Sequence, residues 1–164
     1  MGGFIMSQKG LANSLKAIII GLAVCGLLIY FYFLPVWGKA LVGDFPQYKA
    51  AYWPWLIVLW MSAIPCYLVL LCGWKISTEI GKDNSFSEIN AKMLKMIALL
   101  AAMDSVYIFV AGGILFALGM STGIVEVLIL FVVFAGVVVT VAAAALSHLV
   151  YKAAAMKEEN DLTI

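Results

Sequence analysis

The chain has 164 residues, of which 65% are hydrophobic, and its mean hydropathy is +1.09. Soluble domains are about 45–50% apolar, and here the excess lies in long uninterrupted runs, so the composition excludes an ordinary soluble domain. Ten lysines, no arginine and nine acidic residues give a net charge of +1. That balance excludes the basic, arginine-bearing face that direct nucleic-acid binding needs.

Four long apolar runs predict an all-α, polytopic membrane protein made of a single membrane domain, residues 1–164. The predicted transmembrane helices cover approximately residues 15–37, 53–74, 93–118 and 124–150, and a polar tail follows at 151–164. Each run is long enough for a hydrocarbon core of about 30 Å. The first run exceeds the roughly 7–15 apolar residues of a signal peptide, which favours a retained span.

The lysines are distributed unevenly between the two ends of the predicted bundle. Only Lys39 and Lys49 lie at the end that holds the first and third connections. Because cytoplasmic segments are enriched in lysine and arginine, both termini are predicted to be cytoplasmic, in the inner membrane of a bacterium. The lysines at the predicted cytoplasmic end are Lys9, Lys16, Lys75, Lys82, Lys92, Lys95, Lys152 and Lys157.

The first connection, residues 38–52, is bordered by tryptophan and tyrosine. Such rings are typical of the aromatic belt at the lipid–water interface, which is the favoured interpretation. The alternative is an outward-facing ligand site that uses these rings, with Asp44 as its acid.

The second connection, at the predicted inner face, is more organised. Ser85 and Glu88 have the spacing of a capping box, with Ser85 as the N-cap and Glu88 reaching back to it. Phe86 and Ile89 begin an apolar pattern at helical spacing that runs into the third span, with Asn90 on the polar side. This segment predicts an amphipathic turn on the inner surface, and Phe86 and Asn90 are candidate partner-binding residues.

Asp104 lies near the middle of the third span, where an aspartate costs about 2.5–3.5 kcal/mol on insertion scales. It should therefore face protein and find a donor. Small residues spaced four apart on the fourth span, Gly136 and Thr140 among them, favour close packing of this span on the Asp104 face of the third span. We expect Thr140 or Ser105 to donate to its carboxyl, as a purely structural bond or as part of a proton-sensing or ion-pathway site.

Two further polar residues lie near the ends of the fourth span. Glu126 is in its first turn at the outer face, where the helix N-terminus stabilises a negative charge and Lys39 or Lys49 can reach it. His148, the single histidine, is expected to be a satisfied boundary residue at the inner interface.

No motif predicts catalysis or a cofactor. Residues 119–123 match the GxSxG pattern of serine hydrolases, but that motif follows a strand and needs a nearby histidine. His148 is roughly 40 Å along the next helix at about 1.5 Å per residue, so the match is fortuitous. The cysteines, Cys25, Cys66 and Cys72, form no metal-binding spacing and are expected to be small buried apolar residues. An enzyme is the least favoured class, and no cofactor or metal is expected.

The chain ends in a segment whose composition differs from everything before it. Two glutamates are followed by Asn160, Asp161, Leu162, Thr163 and Ile164, which become apolar toward the terminal carboxylate. Such an end suits capture by a cytoplasmic partner, through strand addition or carboxylate recognition. The alternative is a short frayed terminus.

Two segments together resemble one family: SFSEINAKMLKMI at residues 85–97 and AMKEENDLTI at residues 155–164. Both are similar to motifs of the bacterial four-span family named domain of unknown function 2975, although Ser85 stands where the family pattern has a proline. Genes of that family often neighbour a small helix-turn-helix transcriptional regulator. The resemblance therefore implies a membrane protein that holds or releases such a regulator.

The sequence thus predicts a non-enzymatic membrane regulator or sensor that binds a cytoplasmic partner through its inner loop and its tail. One alternative is a small transporter or channel subunit that uses Asp104. Four spans with one central charge give a thin pathway, so this alternative requires a homo-oligomer. A membrane immunity or stress protein is a third possibility, which no residue distinguishes from the first.

Overall fold

The computed structural model describes residues 7–161, except for the side chain of Asp161, and this part of the chain is helical with no β-strand. Four helical segments within it are long and apolar enough to cross a membrane, which confirms the predicted all-α, four-span architecture. The cytoplasmic position of the termini stays a prediction. The spanning segments are Gln8–Asp44, Pro46–Gly81, Glu88–Ala117 and Gly123–Asn160.

The first span is one helical segment with a wider turn inside it. Helix α1, Gln8–Leu28, begins at Ser7, whose hydroxyl accepts a bond from the Gly10 N–H at 3.1 Å. A π-helical turn, Ile29–Phe33, follows, and helix α2, Leu34–Asp44, completes the span. π-turns inside α-helices are rare and frequently mark functional sites.

The other spans are single α-helices. A 3₁₀ segment, Pro46–Ala51, leads into helix α3, Tyr52–Gly81, which contains Pro65, and helix α4 covers Glu88–Ala117. Helix α5, Gly123–Asp161, continues past Val150, where the apolar run ends. The alanines at 153–155 have high helix propensity, so the beginning of the polar tail is helical.

The helices pack in chain order. Helix α1 packs on α3, α3 on α4, and α4 on α5, and the last of these is the most extensive pairing. The residues buried between them are mostly small, among them Ala12, Ala91, Ala98, Ser77 and Ser105. Because apolar side chains gain nothing by leaving lipid, close approach of small residues is what holds such helices together. The many large apolar side chains on the outside face the predicted lipid.

Aromatic side chains add hydrogen bonds between spans. The Tyr67 hydroxyl donates to the Ala23 carbonyl of α1 at 2.8 Å, and the Trp60 indole donates to the Tyr30 carbonyl of the π-turn at 2.9 Å. Tyr67 can reach α1 because Gly26 has no side chain: a Cβ there would lie 2.9 Å from the tyrosine oxygen. At the end of the bundle that is predicted to be outer, Trp37 and Trp53 are exposed, as expected for an aromatic belt.

Helices α3 and α4 end in the same motif. In both, the N–H of the second residue after the C-cap donates to the carbonyl five residues before it, which is the Schellman motif. At the end of α3 the Asn84 N–H donates to Glu79 at 3.0 Å, and at the end of α4 the Met120 N–H donates to Leu115 at 2.9 Å. The left-handed residue between is Asp83 (φ 61°) in the first case and Gly119 (φ 69°) in the second.

Candidate functional site

Asp104 lies between α3 and α4 and has its donor on α3. The Ser62 hydroxyl donates to Asp104 Oδ2 at 3.0 Å, and the Cys66 thiol lies 4.0 Å from the same oxygen. Ser62 and Cys66 are four residues apart, so they occupy one face of α3. Asp104 therefore faces protein, as an intramembrane acid should, but the helix that it faces is α3 and not the predicted fourth span.

The prediction that Thr140 or Ser105 donates a hydrogen bond to the Asp104 carboxyl was wrong. The Thr140 hydroxyl donates to the Gly136 carbonyl of its own helix at 2.8 Å, and Ser105 donates to the Ala101 carbonyl at 2.7 Å. Neighbouring residues of a helix point about 100° apart, so α4 presents Ser105 to α5 and Asp104 to α3. Gly136 does pack on α4, since a Cβ there would collide with the Ser105 hydroxyl.

The π-turn of the first span brings a third helix to this site. The Tyr30 hydroxyl donates to Cys66 Sγ at 3.7 Å. Its own carbonyl accepts the Trp60 indole, so the π-turn is fixed on both sides of Tyr30. We name the resulting group the Asp104 cluster; its members are Tyr30, Ser62, Cys66 and Asp104.

One oxygen of the Asp104 cluster has no hydrogen-bond partner. Asp104 Oδ1 is buried and unpaired, although buried polar atoms in native proteins are nearly always bonded. Tyr107, one turn along α4, directs its hydroxyl to the Val58 carbonyl at 3.4 Å instead. An additional donor at Oδ1 would complete the hydrogen bonds of this carboxyl.

Glu126 is bonded within the outer hairpin. The Ser121 hydroxyl donates to Glu126 Oε1 at 2.7 Å, and the Thr122 hydroxyl accepts the Val125 N–H at 3.4 Å at the start of α5. The expected lysine partner was wrong: in the described part of the chain, neither Lys39 nor Lys49 forms an ion pair with Glu126. Glu126 thus stabilises the hairpin and the first turn of α5.

The inner loop, residues 82–87, is organised by Asn90. This side chain is 2% exposed, and its amide donates to the carbonyls of Ser85 at 2.9 Å and Asn84 at 3.3 Å. The N-cap of α4 is Ser87, which accepts the Asn90 N–H at 3.2 Å. The predicted capping box at Ser85 was therefore wrong, because Asn90 occupies the Ser85 carbonyl and α4 begins only at Glu88.

Phe86 projects from this loop, and Ile89 projects from the first turn of α4. They are 57% and 49% exposed, and Glu88 between them pairs with Lys92 at 3.0 Å. On the other side of the loop, Glu79 accepts bonds from Lys82 at 2.8 Å and Asn84 at 3.0 Å. The loop therefore holds an apolar surface on a hydrogen-bonded frame.

His148, Asn160 and Asp161 lie at the same end of the bundle. His148 borders an open cavity between α4 and α5. Asn160 is exposed in the last turn of α5, and Asp161 is the last helical residue. Leu162, Thr163 and Ile164 lie outside the described residues.

Sequence reasoning missed Tyr30, Ser62 and Cys66 as partners of Asp104. Ser62 and Cys66, two weakly polar groups four residues apart in an apolar run, were a usable signal. The π-turn that directs Tyr30 has no such signal. The expectation that the cysteines are buried was wrong for Cys25 and Cys66, which are exposed on the bundle surface, whereas Cys72 is buried.

Comparison with known proteins agrees with this architecture. Residues 36–164 match the model of the family described as "Protein of unknown function (DUF2975)". The chain belongs to this family. It is 31% identical over 151 residues to the uncharacterized membrane protein YoaS of Bacillus subtilis (strain 168), which covers 90% of this chain and 92% of YoaS. No solved structure matches the chain.

Proposed function

We propose that this DUF2975 protein is a non-enzymatic regulator of the bacterial inner membrane that holds a cytoplasmic helix-turn-helix regulator at its inner end. The observation that supports this most directly is the inner loop. Phe86 and Ile89 are exposed in a polar segment outside the apolar runs, on a frame fixed by the buried Asn90. Such a frame holds the exposed side chains in one conformation, which lowers the entropy cost of binding a partner.

The end of α5 projects at the same end of the bundle as the inner loop. From Tyr151 to Asp161 the helix continues about 16 Å beyond the apolar run, at about 1.5 Å per residue. Its charged residues, among them Lys152, Lys157 and Glu158, place it outside the hydrocarbon region. The described end of α5, up to Asn160, therefore lies where a soluble partner can reach it.

The partner class follows from the family and from charge. The family motif at residues 85–97 and the described part of the motif at residues 155–164 lie at this end. The family resemblance implies a neighbouring helix-turn-helix regulator. A net charge of +1 without arginine does not suit direct nucleic-acid binding. We therefore propose that contact with DNA is made by the partner alone.

The Asp104 cluster is the element that we propose a signal acts on. It joins the first three spans, and α4 is held to α3 by the bond from the Ser62 hydroxyl to Asp104 Oδ2. We propose that gain or loss of a proton by this carboxyl changes that bond. Since α4 begins at the inner loop, a shift of α4 reaches Phe86 directly. A ligand or membrane change that favours one state of the cluster would thereby change partner binding.

A transporter or channel subunit is the second candidate, and the unpaired Oδ1 favours it. Ion passage needs further polar groups along the path. In the described spans the acids and lysines other than Asp104 lie toward the helix ends. This candidate therefore requires additional copies of the chain, and the regulator is the better supported function.

A pull-down from membranes tests partner binding. Intact chain, chain ending at Glu159 and Phe86→Ser are compared by mass spectrometry, with Phe45→Ser as the matched control. Phe45 is an exposed phenylalanine at the outer end. We expect a DNA-binding regulator with intact chain and Phe45→Ser, and its loss with the other two. Equal recovery from all four would remove the capture mechanism.

The same assay includes Asp104→Asn, with Asp44→Asn of the outer end as control. Asparagine keeps the shape of the carboxyl but cannot titrate. We expect intact chain and Asp44→Asn to change partner recovery with external pH and Asp104→Asn to give constant recovery. A pH response retained by Asp104→Asn would exclude a proton-sensing role for the cluster.

A further inference from the structure

A cavity opens between α4 and α5 at the inner end of the bundle. Its volume is about 450 Å³, and it is open on one side. Its floor is formed by small side chains, and its rim by long polar ones. The lining residues are Ala91, Lys92, Lys95, Ala144, Ser147, His148 and Tyr151.

The floor of the cavity is a fixed helix contact. The Ser147 hydroxyl of α5 donates to the Ala91 carbonyl of α4 at 2.7 Å, and Ala91 is 4% exposed. Because this bond holds the two helices together below the rim, the cavity persists without an occupant. The side chains above it are not needed to close the helix interface.

The rim is cationic and rich in donors. Lys92, Lys95, His148 and Tyr151 line it, and no carboxylate does. Lys92 pairs with Glu88 at 3.0 Å, but Lys95 is in neither ion pair of the described residues. Two ammonium groups and a hydroxyl around a concave site match the charge and the acceptor oxygens of a phosphate.

The residues next to the cavity favour the phosphate of a lipid over a soluble phosphate. Leu99 lies one turn beyond Lys95 on the same face of α4, and Val141 lies two turns from His148 on the same face of α5. Both are highly exposed, so an apolar strip extends from the cavity toward the middle of the bilayer. A phosphate in the cavity with an acyl chain along this strip fits a membrane lipid.

We propose that the cavity between α4 and α5 binds the phosphate headgroup of an anionic membrane lipid through Lys92, Lys95 and the donors of its rim. The acyl chains of this lipid lie against Leu99 and Val141. This site is separate from the Asp104 cluster and does not depend on the proposed partner. It makes anionic lipid a specific ligand of the chain rather than only its solvent.

Native mass spectrometry of the full chain, released from bilayers of phosphatidylglycerol and phosphatidylcholine, tests the proposal. We expect phosphatidylglycerol to be retained about tenfold more than phosphatidylcholine, and Lys92→Gln/Lys95→Gln to abolish this preference. The control, Lys9→Gln/Lys75→Gln, makes the same charge change at the same end of the bundle and should retain it. An equal loss in both double variants would show general surface attraction and overturn the site.

Two further arms complete the test. Inorganic phosphate is added at millimolar concentration, and we expect it not to displace the retained lipid. Displacement would indicate a soluble phosphate site and overturn the lipid assignment. Should the double variant fail to fold, Tyr151→Phe and Lys95→Gln are measured singly, and unchanged retention in both would overturn the proposal.

Discussion

Helices α3 and α4 end in the same backbone motif, yet the contacts that stabilise the turns after them differ. In the outer hairpin the Trp55 indole of α3 donates to the Met120 carbonyl at 2.9 Å, so another span holds the turn in place. In the inner loop the bonds of Asn90 and Glu79 stay within the loop and the adjoining helix ends. The outer turn is thus fastened to the bundle, whereas the inner loop keeps its shape by itself and leaves Phe86 exposed.

The outer hairpin and the inner loop therefore suit different roles. A turn that only joins two helices gains stability by contact with the bundle, as the outer hairpin does. A loop that keeps its own frame can expose apolar side chains to another molecule without losing its conformation. Changes to single residues in the two turns test this difference.

Asn90→Ala should have the largest effect. It removes two donors and leaves the carbonyls of Asn84 and Ser85 without them, which should lower the free energy of unfolding by about 2–3 kcal/mol. Unfolding in detergent, followed by tryptophan fluorescence, measures it. Asn13→Ala, at an exposed site on α1, is the control and should change stability by less than about 0.5 kcal/mol. Similar effects at both sites would contradict a frame built on Asn90.

Gly119→Ala should lower the free energy of unfolding by about 1–2 kcal/mol, because an alanine at φ 69° is strained. The same unfolding measurement applies. Gly113→Ala, inside α4 where a Cβ meets no neighbour within 4 Å, should instead be neutral or stabilising. If both variants were destabilised equally, the left-handed turn would not be the reason.

Asp83→Gly should have the smallest effect and the opposite sign. Glycine removes the strain of the left-handed Asp83 and should raise the free energy of unfolding by up to about 1 kcal/mol. Melting of the variant is compared with that of Asp83→Ala, which keeps the strain. Equal melting of the two variants would show that the left-handed conformation does not limit the stability of the inner loop.

The positions of the spans could be predicted from the sequence because hydropathy is a local property of each apolar run. The end of α5 could not, since the helix there depends on the propensity of residues 153–155 and not on hydropathy. The need of Asp104 for a donor also followed from the cost of an acid in lipid. The identity of that donor, Ser62, depended on which face of α4 turns toward α3, and a shift of one residue exchanges Asp104 and Ser105.

The inner loop shows the same limit at short range. The sequence predicts a serine cap before α4, but two serines are available, and the one whose hydroxyl accepts the Asn90 N–H is Ser87. The partner-binding residues of the tail remain predictions, because Leu162 to Ile164 lie outside the described residues.

The π-turn at Ile29–Phe33 divides the first span into two helical segments whose side chains are rotated relative to each other about the helix axis. A π-turn accommodates one residue more than an α-helix of the same rise, so the segment before it and the segment after it are out of phase by about 100°. Removing a single residue there would restore a uniform helix and rotate either Tyr30 away from Cys66 or the whole outer segment, Leu34–Asp44, about its axis. The length of this span, and not only its composition, is therefore part of what assembles the Asp104 cluster.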